Sequence, residues 1–239
     1  MTAPAVGRPR ARWRLRDPYA HQKGIPNFPP IVATVLAARG ITTRAQADLF
    51  YKPHLAASHD PLQLPGMVEA IQRIRRAISD HATIALFGDF DVDGVTSVAV
   101  LHEGLQRLGA KTRNYIPDRF QEGYGLNFGA VQRLREAGAD VLVTADCGIS
   151  SVQEVAYANQ VGMDVIILDH HTVPDEMPAA LAAVNPKRKD SPYPFEELAA
   201  VGVAYRFLQV LWDDYGRELP SRDFIDIVAL GTVVDVAPL

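Results

Sequence analysis

Residues 83–109 read TIALFGDFDVDGVTSVAVLHEGLQRLG. A short apolar run, TIALFG (83–88), breaks into an acidic turn, and VTSVAVLHEGLQRLG (95–109) then places apolar residues at helical spacing. The pattern predicts a buried strand, a polar loop at its carboxyl end and an amphipathic helix. The loop carries Asp89, Asp91 and Asp93 at alternate positions before Gly94. Carboxylates that close raise each other's pKa unless a cation sits among them.

The same alternation continues downstream. KTRNYIP (111–117), DVLVTA (140–145), DVIILD (164–169) and a short LAAVN (181–185) are expected as further strands. FGAVQRLREAG (128–138), capped by Asn127, and SVQEVAYANQVG (151–162), capped by Ser150, are expected as helices between them. A long helix is expected from Glu196 to Tyr215 and a last one over FIDIVALG (224–231). Nearly all-apolar strands indicate burial on both faces, with the helices as right-handed crossovers. The expected fold class is α/β, an open, doubly wound parallel sheet.

Upstream the reading is helical. IVATVLAAR (31–39) is closed by Gly40, a short helix follows from Thr43 to Phe50 with Thr42 or Thr43 as cap, and MVEAIQRIRRAI (67–78) forms a third. The expected organisation is a tail and helical segment over 1–80 and the α/β domain over 81–239. Arg8, Arg10, Arg12, Arg14 and Arg16 alternate in the tail, as either a phosphate-touching basic arm or a solvated end.

With 239 residues, 48% apolar and 22% charged, the chain has an ordinary globular composition. Its net charge of -4 argues neither for nor against nucleic acid, because a local groove can be basic on an acidic protein. A single cysteine, Cys147, excludes an intramolecular disulfide and fits a reducing compartment. No membrane-length apolar run and no signal-peptide core are present, so the cytoplasm is the expected location.

In open α/β sheets, ligands bind outside the carboxyl ends of the strands. Asp89 and Asp91 follow the first strand, Asp146 in TADCG ends the third, and Asp169, His170 and His171 end the fourth; Asp235 lies past the last helix in VVDVAP. Hard oxygen ligands with one or two imidazoles suit Mn²⁺ or Mg²⁺. A pair of such ions suits in-line displacement at phosphorus. Asp93 is left open between capping a helix and taking a direct part. Cys147 reads as core, since no base stands near it in sequence to make it a nucleophile.

Competing motifs fail on counting. A calcium-binding EF-hand loop requires glutamate at its twelfth position, which is Val100, and a flanking helix where TIALFG reads as a strand. GYGLNFG (123–129) is one residue too long for a dinucleotide fingerprint and follows the second strand, and no Walker A sequence occurs.

GDFDVDG, TADCG, LDHH and GTVVDVAPL resemble, in order, the four motifs of the DHH phosphoesterase superfamily. Within it the chain is most similar to the bacterial RecJ family of single-strand-specific 5′→3′ DNA exonucleases. ARGITTRAQADLFYKPHL, YIPDRFQEGYGLN and NPKRKDSPYPFEELAAVGVAYRFLQVL carry that closer likeness. The resemblance implies two divalent ions, Mn²⁺ or Mg²⁺: Asp89 on the first, Asp146 bridging, and Asp91, His170 and Asp235 on the second. It implies that His171 supports the ligands from behind or donates to the scissile phosphate, and that Asp169 orients the histidines. Arg119 is expected to pair with a phosphate and Tyr124 to stack on a base. Single-stranded DNA is the implied substrate, with a helicase and a single-strand-binding protein as candidate partners in repair and recombination. Short oligonucleotides, cyclic dinucleotides or a catalytically silent DNA-bound scaffold are the alternatives. RecJ-like proteins continue past the fourth motif into a DHHA1 domain and an OB-like domain, so a chain ending at Leu239 is expected to be the catalytic part of something longer.

Overall fold

Five apolar runs pair edge to edge: β1 (Thr83–Gly88), β2 (Lys111–Tyr115), β3 (Ala139–Ala145), β4 (Asp164–Leu168) and β5 (Ala182–Val184). In this computed structural model they form one sheet of order β2-β1-β3-β4-β5, with every neighbouring pair parallel. The structure describes residues 25–52 and 59–238, divided between two compact units, 1–58 and 59–239. The alternating N-terminal arginines lie outside the described residues.

Parallel strands need covered faces, which is why these runs are so apolar. Ile84, Leu86, Val141, Val143, Ile166 and Leu168 pack on one side with α3 (Met67–Ser79), α4 (Val92–Gln106) and α7 (Ala200–Asp214). Ala85, Phe87, Leu142, Val165 and Ile167 pack on the other with α5 (Phe128–Glu136) and α6 (Val152–Gln160). Fully burying such an aliphatic side chain stabilises by roughly 1.5–3 kcal/mol. A last helix, α8 (Ile225–Val234), lies against α4 and α7. The doubly wound parallel α/β fold expected from the sequence is the fold observed.

Several boundaries move, each for a local reason. α4 begins at Val92, three residues before the expected start, because Asp91 caps it through Gly94 N–H at 3.0 Å. The N-cap of α6 is Ser151, not Ser150. α7 starts at Ala200, while α8 runs on to Val234, so that Asp235 is its C-cap. α3 packs Met67, Ala70, Ile71, Ile74 and Ala77 into the sheet's core rather than standing with the upstream helices.

In the first unit, α1 (Pro30–Ala37) and α2 (Arg44–Tyr51) enclose Ile25, Ala33, Leu36 and Ala47. Thr43 caps α2 in a reciprocal capping box with Gln46.

Candidate metal centre

The sheet order reverses between β1 and β3, the switch point at which open α/β sheets bind ligands. Three acidic residues stand there in a row, because the ladder runs one bond past each strand. Asp89 N–H donates to Ala145 O (3.3 Å), Asp146 N–H to Leu168 O (3.1 Å) and Asp169 N–H to Val184 O (3.1 Å). Asp146 adopts φ 63°, a left-handed turn that aspartate tolerates better than most residues. The turn after β1 is equally tight: a Cβ on Gly94 would meet Asp89 N and O at 2.5 and 2.4 Å.

Three groups of ligand-type atoms converge on this edge: Asp89, Asp91 and Asp146; Asp146, His170 and His171; and Asp93, His170 and Asp235. All five ligands expected from the motifs are therefore brought together. Asp146 belongs to the first two groups and His170 to the last two. Asp91 stands with Asp89 and Asp146 rather than with His170 and Asp235. His170 Nε2 lies 3.2 Å from Asp146 Oδ1 and 3.9 Å from Asp235 Oδ2.

The donor chemistry fits a divalent cation. Asp89 Oδ1, Asp146 Oδ1 and His170 Nε2 are buried with no hydrogen-bond partner. Buried polar atoms nearly always have one, so unpartnered atoms on three residues of this edge are groups that a cation could satisfy. Burial, followed by the charges of Asp93 and Asp91, pushes the Asp146 carboxyl up to about 10. Burial also raises Asp89. Raised to about 10, the Asp146 carboxyl holds its proton at neutral pH unless a cation replaces it.

Asp169 is built differently. Its Oδ1 accepts from His170 N–H (2.7 Å) and His171 N–H (3.1 Å) and meets His171 Nδ1 at 2.7 Å; its Oδ2 accepts from Ile149 N–H (3.0 Å). Burial pushes this carboxyl up, but the bonds from His171 and the backbone more than offset it and hold it below the usual range. The same bond raises His171. His171 Nε2 in turn faces the Tyr124 hydroxyl at 3.1 Å. Tyr124 packs edge-on to Phe90, and the Arg119 guanidinium sits 5.0 Å over the Phe90 ring. Tyr124 thus meets His171 directly, and Arg119 connects to it through Phe90 and Tyr124.

Asp93 caps a helix, but not its own. Its Oδ2 accepts from Ala200 N–H (2.6 Å) and its Oδ1 from Val201 N–H (2.8 Å), so it holds the start of α7. Cys147 is buried with its thiol directed at Ala145 O, and burial raises it well above the usual thiol range, as a core residue requires. Asn185 is buried and donates to His171 O at 2.9 Å, a support that sequence reasoning missed. Its place directly after β5 was the only signal for it.

The fold and this edge define a class before they define a relative. The model of the DHH family, N-terminal domain, matches residues 83–232, and the chain belongs to that family. It is 41% identical over 234 residues to the single-stranded-DNA-specific exonuclease RecJ of Bacillus subtilis, spanning 96% of this chain and 29% of that protein. Among solved structures, exonuclease RecJ bound to manganese matches with TM-score 0.68 and 36% identity, over 74% of this chain and 44% of the other. RecJ of Thermus thermophilus in complex with Mn²⁺ matches with TM-score 0.70 and 29% identity, over 90% of this chain and 32% of the other. The chain spans less than half the length of each.

Proposed function

We propose that this chain is the catalytic DHH part of a metal-dependent 5′→3′ exonuclease acting on single-stranded DNA. The observation that carries the reading is that the buried Asp146 groups with Asp89 on one side and with His170 on the other, each of the three carrying an unpartnered polar atom. The likeness to RecJ proteins, named as single-stranded-DNA-specific exonucleases, supports the substrate. Asp89, Asp91, Asp146, His170 and Asp235 would hold two divalent ions, Mn²⁺ or Mg²⁺. Bound ions supply an activated water and offset charge on the attacking and leaving oxygens.

The chain's own groups do the rest. Asp169 fixes the His171 ring by bonding its Nδ1 and favours the imidazolium. The ring's Nε2, which faces the Tyr124 hydroxyl, would donate to a phosphate oxygen that takes the place of that hydroxyl. Arg119 offers a charge-assisted pair for a backbone phosphate, and Tyr124, 61% exposed, offers a ring for a base. Asp93 keeps α7 in place rather than touching substrate. A nuclease of single strands depends on proteins that open or hold them, so a helicase and a single-strand-binding protein are the partners proposed, in the cytoplasm where the DNA lies. No helix among the described residues is long and apolar enough to cross a membrane.

The test compares end-labelled single strands, duplexes and dinucleotides with Mn²⁺ present. Mononucleotide release from the 5′ end of long single strands is expected. Preferential turnover of dinucleotides would move the reading to the oligonucleotide-degrading relatives, and no release from any substrate would refute it.

A further inference from the structure

α8 has one buried residue, and it is Gly231. A Cβ built there would meet Thr96 Oγ1 at 2.4 Å, Val201 Cγ1 at 2.8 Å and Asp93 Oδ1 at 3.3 Å. Those atoms belong to the two helices on which α8 rests and to the carboxylate that ties them together. Asp93 stands on α4 and holds the first two amides of α7, so the three surfaces around Gly231 form one braced notch. Gly231 O accepts from Asp235 N–H at 3.0 Å, one turn further along. The notch and the last ligand are thus ends of a single rigid helical turn.

Glycine in a helix interior costs about 1 kcal/mol relative to alanine, so at an open position alanine would be the better residue. Here the missing side chain is what lets α8 close on the body of the domain. We propose that Gly231 is a positioning residue: its lack of a side chain sets the approach of α8 to α4 and α7, and so places Asp235 beside His170. This inference rests on the metal reading of the site and adds to it how the chain delivers its most distant ligand. Displacing α8 by part of an ångström withdraws Asp235, while Asp89, Asp91 and Asp146, in the turns after β1 and β3, stay where they are.

The test is Mn²⁺ binding to the metal-stripped 239-residue chain, followed by calorimetry and by electron paramagnetic resonance, with thermal melting as a check on folding. Wild type is expected to bind two ions with spin coupling between them. Gly231→Ala is expected to melt as a folded protein, keep the ion at Asp89 and Asp146, and weaken the other roughly 10–100-fold, the size of effect that removing a ligand's support produces. The coupled signal then disappears, as it does in Asp235→Asn. A folded Gly231→Ala chain that binds two coupled ions as wild type does would overturn the proposal. If Gly231→Ala fails to fold, the compensated variant carrying Thr96→Ala and Val201→Ala as well removes the two atoms that the new methyl would meet below 3 Å. Two coupled ions in that variant support the proposal, and one ion overturns it. Fewer than two ions in wild type refute the two-ion reading itself, and this inference falls with it.

Discussion

His170 Nε2 stands 3.2 Å from Asp146 Oδ1, an ion pair only when the ring is protonated. With the unpartnered Asp89 Oδ1 on the same sheet edge, the pair forms a buried, acid-rich cluster that a shared cation would satisfy.

Without divalent ions the centre destabilises the fold as pH rises. Burial pushes Asp146 up to about 10 from an ordinary carboxyl, so the folded state binds a proton that the unfolded state has released. That contribution is fully present below the unfolded value and is lost as pH climbs toward the folded one. His171, raised by Asp169, acts with the same sign. Melting temperatures of the metal-stripped chain are therefore expected to fall between about pH 6 and 9. Added Mn²⁺ should flatten the slope, and a metal-stripped chain that gains stability over that range would contradict the burial argument.

Asp91 serves both α4 and the metal centre, and two substitutions separate the roles. Asp91→Ala removes the cap on Gly94 N–H as well as the charge, and is expected to cost about 1 kcal/mol of stability. Asp91→Asn keeps a capping oxygen, so its melting temperature should stay near wild type. Both are expected to abolish strand hydrolysis, assayed on a 5′-labelled oligonucleotide.

Asp169 is surrounded by donors, so an amide in its place turns an N–H₂ toward another N–H. Asp169→Asn is expected to destabilise by about 1–3 kcal/mol and to lower turnover roughly 10–100-fold. The His171 pKa should drop toward its ordinary value, read by NMR titration. An unchanged His171 titration would show that the 2.7 Å contact does not set the ring's state.

Tyr124 offers a ring to the substrate and a hydroxyl to His171. Tyr124→Phe is expected to reduce kcat modestly with little change in KM. Tyr124→Ala should raise KM for single strands by an amount corresponding to about 1–3 kcal/mol, the usual worth of stacking one base.

The sheet, and the gathering of Asp89, Asp91, Asp146, His170 and Asp235 at one edge, were legible because strands buried on both faces read as unbroken apolar runs with polar residues at their ends. Long-range pairing was not. Nothing local shows that Asp93 bonds Ala200 and Val201, 107 and 108 positions away. In sequence Asp93 reads equally as a helix cap or a direct participant, and it is Asp91 that caps α4, because a cap at 91 lets the helix begin at Val92. Gly231 reads as an ordinary motif glycine until the atoms facing it are known. Helix ends moved for the same kind of reason, since α7 starts where Asp93 meets its first amides.

Mn²⁺ titration of wild type against Asp146→Ala, counted by calorimetry, reaches the shared carboxylate directly. Asp146 joins the group with Asp89 and Asp91 to the group with His170 and His171. Two ions are expected in wild type, with both affinities lost together in Asp146→Ala. Two ions bound at undiminished affinity after that substitution would show that the buried carboxyl is not the ligand on which the centre depends.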